Sequence, residues 1–189
     1  MTQLQTERGM IQVPAGTWKA DPAHSSVAFE VKHMMIATVR GHLSEFDGTL
    51  EAEEDPTASR AHGWVNVASI DTGNADRDAH LRSAEFFDAE RYPQAIFESR
   101  RIEHIEGGRY LVTGDLTIKD VTRPLAIDLE FNGTATDPYG NERVGFEGSA
   151  EILRSEWGLT WNAALETGGV MVSDKVKLNF DISAIKNAA

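Results

Sequence analysis

The sequence predicts an all-β protein: an antiparallel barrel of about eight strands with one short helical insert near residues 74–90. Three observations predict it. Apolar residues recur at every second position through most of the chain, the period of a half-buried strand. The alternating stretches are joined by short segments rich in Gly, Pro, Asp and Asn, which suit hairpins between antiparallel neighbours. Asn74 to Glu90 alone lacks β-branched residues entirely and carries good helix formers. Meandering strands close most readily into a barrel, because closure removes exposed edges. A two-sheet sandwich shares the strand pattern and is the alternative.

The elements follow in order. Residues 1–15 read as a flexible lead, and 16–189 as one domain. Val27, Phe29 and Val31 share one face of a first strand, with Glu30 and Lys32 on the other. His33 to Ala37 breaks the alternation and reads as a short helix or a rim loop. Val39, Gly41 and Leu43 run in one phase and Phe46, Gly48, Leu50 and Ala52 in the other, a phase change that requires a bulge or sharp bend. After a Pro56 turn, His62 to Ile70 is the next strand. In the insert, Asp76 is placed to cap a helix, and Asp78 and Arg82, one turn apart, to form a salt bridge. Tyr92-Pro93 ends the helical segment. Two strands flank Gly107-Gly108 as a hairpin, and Leu125 to Asn132 alternates. A turn at Asp137 to Asn141, then Arg143 to Arg154, Val170 to Ser173 and Lys175 to Ser183, complete the set.

Composition narrows the function. The chain has 189 residues, no cysteine and a formal charge of −12. Disulfides, thiolate metal sites and a cysteine nucleophile are excluded. An acidic chain without a basic stripe repels phosphate backbones and anionic lipid surfaces, so no nucleic-acid partner is expected. No apolar run approaches the ~18 residues that cross a bilayer, and no stable membrane insertion is expected. Thr2, Gln3, Gln5, Thr6, Glu7 and Arg8 leave no apolar signal segment, which points to a cytoplasmic protein, or a periplasmic or secreted one if a signal has been removed. A two-fold homodimer is the base expectation.

Catalytic and metal signatures are sparse. His24, His33 and His42 recur every nine residues without the spacing of a metal site, so no metal is expected. GxSxG and phosphate-loop patterns are missing. The charged stretch Asp76, Arg77, Asp78, His80, Arg82 reads either as a salt-bridged helix or as a polar rim that holds a ligand's head group. Strand faces offer Phe29, Phe46, Phe97, Phe131, Phe146 and Phe180, which either fill a barrel or line a cavity. Met34 and Met35 suit an adaptable apolar partner. Trp157 and Trp161, four apart, either plug a barrel end or line its mouth.

Four blocks in order carry a resemblance: Trp18 to His33; Ile70 to Asn74 running into Arg77 to Ser83, Phe86-Phe87-Asp88 and Tyr92-Pro93; Gly114 to Pro124; and Arg154 to Leu159. With them the chain resembles the YceI-like family, bacterial lipid-binding proteins with a lipocalin-like barrel. Asp120 stands where such proteins often have glycine. The resemblance implies a long apolar tunnel that buries a polyisoprenoid chain, an isoprenoid quinone or a fatty amide, with no cofactor and no enzymatic activity. Many members are secreted, which this chain's polar start departs from.

Joined to the chemistry above, this gives the expectation of a non-catalytic isoprenoid or lipid carrier or store. Phe29, Val31, Met34, Met35, Phe46, Leu81, Phe86, Phe87, Phe97, Trp157 and Trp161 would line the tail, and Arg77, Asp78, His80 and Arg154 would stand at the head-group rim. An enzyme of quinone or lipid metabolism using the Asp76 to His80 cluster, and a ligand-free stress-response or interaction barrel, are the alternatives.

Overall fold

The structure is a computed structural model and describes residues 12–187. Most of the expected N-terminal lead lies outside the described residues. The strands are β1 (Gly16–Ala20), β2 (Ser26–His33), β3 (Ala37–Leu43), β4 (Phe46–Ala52), β5 (Arg60–Asn66), β6 (Ile70–Asp71), β7 (Gln94–Glu106), β8 (Arg109–Ile118), β9 (Val121–Thr136), β10 (Glu142–Leu153) and β11 (Val172–Lys186). One α-helix, α1 (Ala75–Arg82), interrupts them.

Eight strands close a ring in the order β1-β4-β5-β7-β8-β9-β10-β11, and β1 pairs again with β11. Closure makes this a barrel and not a sandwich. The long strand β11 serves two partners along one edge: residues 184–186 pair with β1, and residues 172–181 pair with β2. Strand β3 pairs with β2 and, at His42 and Leu43, with the two residues of β6. The expected phase change is a break at Ser44-Glu45, where the chain leaves β3 and enters β4. Strand β1 has only five residues, too few to declare a period, yet it is the piece that shuts the ring.

Alternation builds the interior. Two packed clusters occupy opposite ends. One holds Trp18, Ala52, Ile102, Tyr110, Val112, Phe131, Val144 and Phe146. The other holds Val67, Ala95, Ile118, Leu125, Ile152, Trp157 and Leu159. Phe97 and Ile127 touch both and bridge the middle. The β7–β8 hairpin turns at Gly107-Gly108 as expected, and a Cβ on Gly108 would meet the Phe131 carbonyl oxygen at 2.7 Å.

Three local expectations are settled or corrected. Of the two readings of His33 to Ala37, the helix gives way to the loop: residues 34–36 are the tight turn of the β2–β3 hairpin, with Met34 and Met35 at φ 53° and 61°. The cap of α1 is Asn74 and not Asp76: its extended backbone lets Oδ1 accept the Arg77 N–H at 3.0 Å. Asp78 does not bridge to Arg82. It turns inward, where the Thr72 N–H and hydroxyl donate to Oδ1 at 3.0 and 2.5 Å. A carboxylate buried to 7% exposure takes two fixed donors over a solvated guanidinium.

At the far end Arg143 ties three segments together. Its Nη1 meets Asp21 at 2.9 Å and its Nε meets Asp137 at 2.8 Å. The Asn141 side chain, the Arg143 guanidinium and two backbone N–H groups hold the Asp137 carboxyl well below the usual carboxylate range.

Candidate functional site: an apolar tunnel

The barrel interior is not filled. A cavity of about 410 Å³ runs between the two clusters and is lined almost entirely by apolar atoms. Val27, Phe29 and Val31 of β2 face it, as do Phe180 and Ile182 of β11 and Leu129 of β9. What keeps it open is how the aromatic rings lie. Phe29 sits across from Gly41 in the β2–β3 ladder, and a Cβ on Gly41 would come within 2.4 Å of its ring. Phe97 lies likewise over Gly114, where a Cβ would approach to 2.7 Å. Each ring is laid against the wall on a neighbouring glycine instead of projecting into the lumen. Gly48 and Gly63, paired across β4 and β5, line the cavity themselves and leave that wall as bare backbone.

The helical insert completes the wall beside β3. Leu81, Phe86 and Phe87 all line the cavity. The insert is held by its polar groups. Arg77 donates from Nε to the Thr72 hydroxyl and from Nη2 to the Thr72 carbonyl, each at 2.7 Å, while the same hydroxyl donates to Asp78. His80 contacts the Glu85 carboxylate through Nε2 and packs edge-on against Phe86 and Trp161, with centroids 5.0 and 4.7 Å away.

Of the residues expected along the tail, the structure places Phe29, Val31, Phe46, Leu81, Phe86, Phe87 and Phe97 in the cavity wall. Met34 and Met35 lie outside it at an exposed hairpin tip, 40% and 64% exposed. Trp157 is packed into the second cluster, with its indole N–H donating to the Leu116 carbonyl at 2.9 Å. Trp161 stands behind the lining, against His80 and Phe86.

Of the rim set, only Arg154 reaches the cavity wall. It is buried and donates to four carbonyls, those of Ser173, Leu159, Trp161 and Val172, at 2.6 to 3.2 Å. Burial pushes its guanidinium below the ordinary arginine value, with Asp174 opposing. Leu129, Leu178, Phe180 and Gly48 line the cavity without standing in the expected tail set, although Phe180 is among the strand-face aromatics named from the sequence. For the first three the signal was present, since all are inward phases of alternating strands. Nothing local marks Gly48.

Residues 18–184 match the profile described as the YceI-like domain. The chain belongs to the YceI-like family. A UPF0312 protein of Staphylococcus epidermidis is 40% identical over 166 residues, 87% of this chain and 93% of that protein. One from Photorhabdus laumondii is 38% identical over 68% of this chain and 67% of its own length. Among solved structures, Burkholderia cenocepacia BcnA superposes with a TM-score of 0.76 at 26% identity, covering 87% of this YceI-like chain and 98% of BcnA. A polyisoprenoid binding domain from Saccharophagus degradans shares the fold, with a TM-score of 0.67 at 14% identity over 92% of this chain and all of that one.

Proposed function

We propose that this YceI-like protein binds a polyisoprenoid or other long-chain lipid in the barrel and carries or stores it without chemistry. The observation that carries the reading is the cavity: about 410 Å³ of apolar space inside a closed ring. That size lies in the range of small-molecule sites. Each buried CH2 contributes about 0.8 kcal/mol in transfer, so a prenyl tail is held without a covalent bond. The polyisoprenoid binding described for the Saccharophagus degradans domain supports the same ligand class here.

The non-catalytic half of the proposal is supported by how the polar groups are used. Asp78 is engaged by Thr72, and His80 by Glu85. Neither faces the lumen where a tail would lie. The carboxylate and imidazole an enzyme would need are committed to holding the insert.

Native mass spectrometry of the purified protein, with organic extraction of anything released, tests the reading. The expected result is a prenyl or acyl species of defined mass, or saturable uptake of an added polyprenyl lipid by the empty barrel. A bare chain that takes up neither polyprenyl nor fatty-acyl lipids would overturn it.

A further inference from the structure

Arg154 brings to the tunnel wall a charge that the fold leaves unneutralised. It continues the inward phase of β10: Ile152 and Arg154 are buried, while Leu153 and Ser155 are exposed. The residue is 6% exposed and lines the cavity. A guanidinium has five N–H donors. Nε uses one on the Ser173 carbonyl, Nη1 uses two on those of Leu159 and Trp161, and Nη2 uses one on that of Val172. One Nη2 hydrogen is left without an acceptor among the described residues.

Carbonyls satisfy donors but do not cancel a charge. Among the described residues no carboxylate stands in ion-pair reach of Arg154. The acid whose field it feels, Asp174, is exposed and accepts from the Ser155 N–H and hydroxyl at 2.9 and 2.8 Å. Glu156 and Glu166 are exposed as well. From the insert, His80 packs on the Trp161 ring and is engaged by Glu85. None of these side chains lines the cavity. A buried charge beside apolar space costs free energy until a counter-charge joins it.

The rest of the wall limits what that counter-charge can be. Its other charged or titratable side chains are Asp47, Glu53 and His62. Asp47 pairs with Lys19 at 3.9 Å, and His62 is exposed. Glu53 stands at the opposite end, next to Ala52 of the Trp18 cluster, with Glu54 and Asp55 following it. An acidic head group is repelled there and attracted at Arg154. No lysine and no second arginine lines the cavity among the described residues, so a single positive charge is to be matched. A carboxylate matches it. A diphosphate brings more negative charge than one guanidinium balances.

We infer that the tunnel takes a long-chain carboxylic acid, with its carboxylate held at Arg154 and its chain running toward the Trp18 end. This rests on the lipid-binding reading and adds to it the head group and the direction of the chain.

The test compares chains that differ only at the head, by displacement of a fluorescent lipid probe from the full-length protein. Palmitate is set against hexadecanol, and geranylgeranoic acid against geranylgeraniol. Whichever chain type enters, its acid should bind roughly tenfold or more tightly than its alcohol. Geranylgeranyl diphosphate should bind more weakly than geranylgeranoic acid. In Arg154→Gln the preference for acid over alcohol should all but vanish. The tighter acid, isotope-labelled at its carboxyl carbon, reads the same contact by NMR in wild type. Its bound signal should keep the ionised shift from about pH 5 to about pH 8 and be shielded from a paramagnetic agent in the water. An alcohol as tight as its acid, a diphosphate tighter than the acid, a variant that keeps the preference, or a carboxyl that water reaches would each overturn the inference and leave lipid binding standing. Should the variant not fold, the labelled acid in wild type decides alone. If neither acids nor alcohols enter the barrel, both readings fall.

Discussion

Arg154 shows at the scale of one residue how a charge becomes framework. Its guanidinium is buried and gathers four carbonyls from residues 159–173, the segment that covers one end of the tunnel. A buried cation without a bonded carboxylate persists only because its donors are matched by fixed acceptors. Arg154→Ala would strand those carbonyls, and denaturant unfolding should show a loss of about 2–4 kcal/mol. Arg154→Lys should recover little of it, because an ammonium cannot reach four acceptors in the guanidinium's fan. Asp78 follows the same logic with opposite charge. Its expected partner, Arg82, was read from helical spacing, which is local. The donors it takes belong to Thr72, six residues back across a turn that spacing does not reveal.

Among the elements, α1 is short, and its eight residues need their cap. Asn74→Ala should cost about 1 kcal/mol in thermal unfolding, while Asp76→Ala should cost a few tenths at most. Arg143 of β10 joins the β1–β2 connection, through Asp21, to the β9–β10 turn, through Asp137. Both carboxyls are depressed in the folded state, Asp21 chiefly by His24 and then Arg143, and Asp137 chiefly by Asn141 with Arg143. Depressed carboxyls stabilise the fold above the unfolded value of about 3.9, and that contribution is lost as pH falls through the folded values. Arg143→Ala should therefore be less stable than wild type at neutral pH, and the gap should narrow as pH drops below about 4, as followed by urea midpoints across a pH series. Most strands were legible because their alternation is a property of consecutive residues. The β2–β3 turn was not, because Met-Met carries none of the usual signals for a positive φ.

For the whole molecule, the open interior is the feature on which function turns. Gly48 lines the lumen, and a Cβ there meets nothing closer than the Ala20 Cβ at 3.8 Å. Gly48→Val should therefore fold normally while narrowing the bore. Extraction should then yield less ligand or a shorter chain, and unchanged ligand at unchanged stability would show that the bore is not set at this wall. If the cavity holds a lipid, stripping it should lower the melting temperature, and added lipid should restore it in proportion to the logarithm of its free concentration.

Period-two alternation determined, from residues alone, which side chains face the barrel axis, because a strand's pleat sends neighbours to opposite sides whatever lies beyond. The four motif blocks likewise carry the family resemblance in the sequence itself. Closure through the five-residue strand β1, the division of β11 between β1 and β2, and the laying of Phe29 and Phe97 onto glycines of adjacent strands were decided only in three dimensions. Each joins residues distant in sequence. Whether an aromatic fills a barrel or papers its wall depends on which residue the next strand brings opposite it, and periodicity carries no record of that.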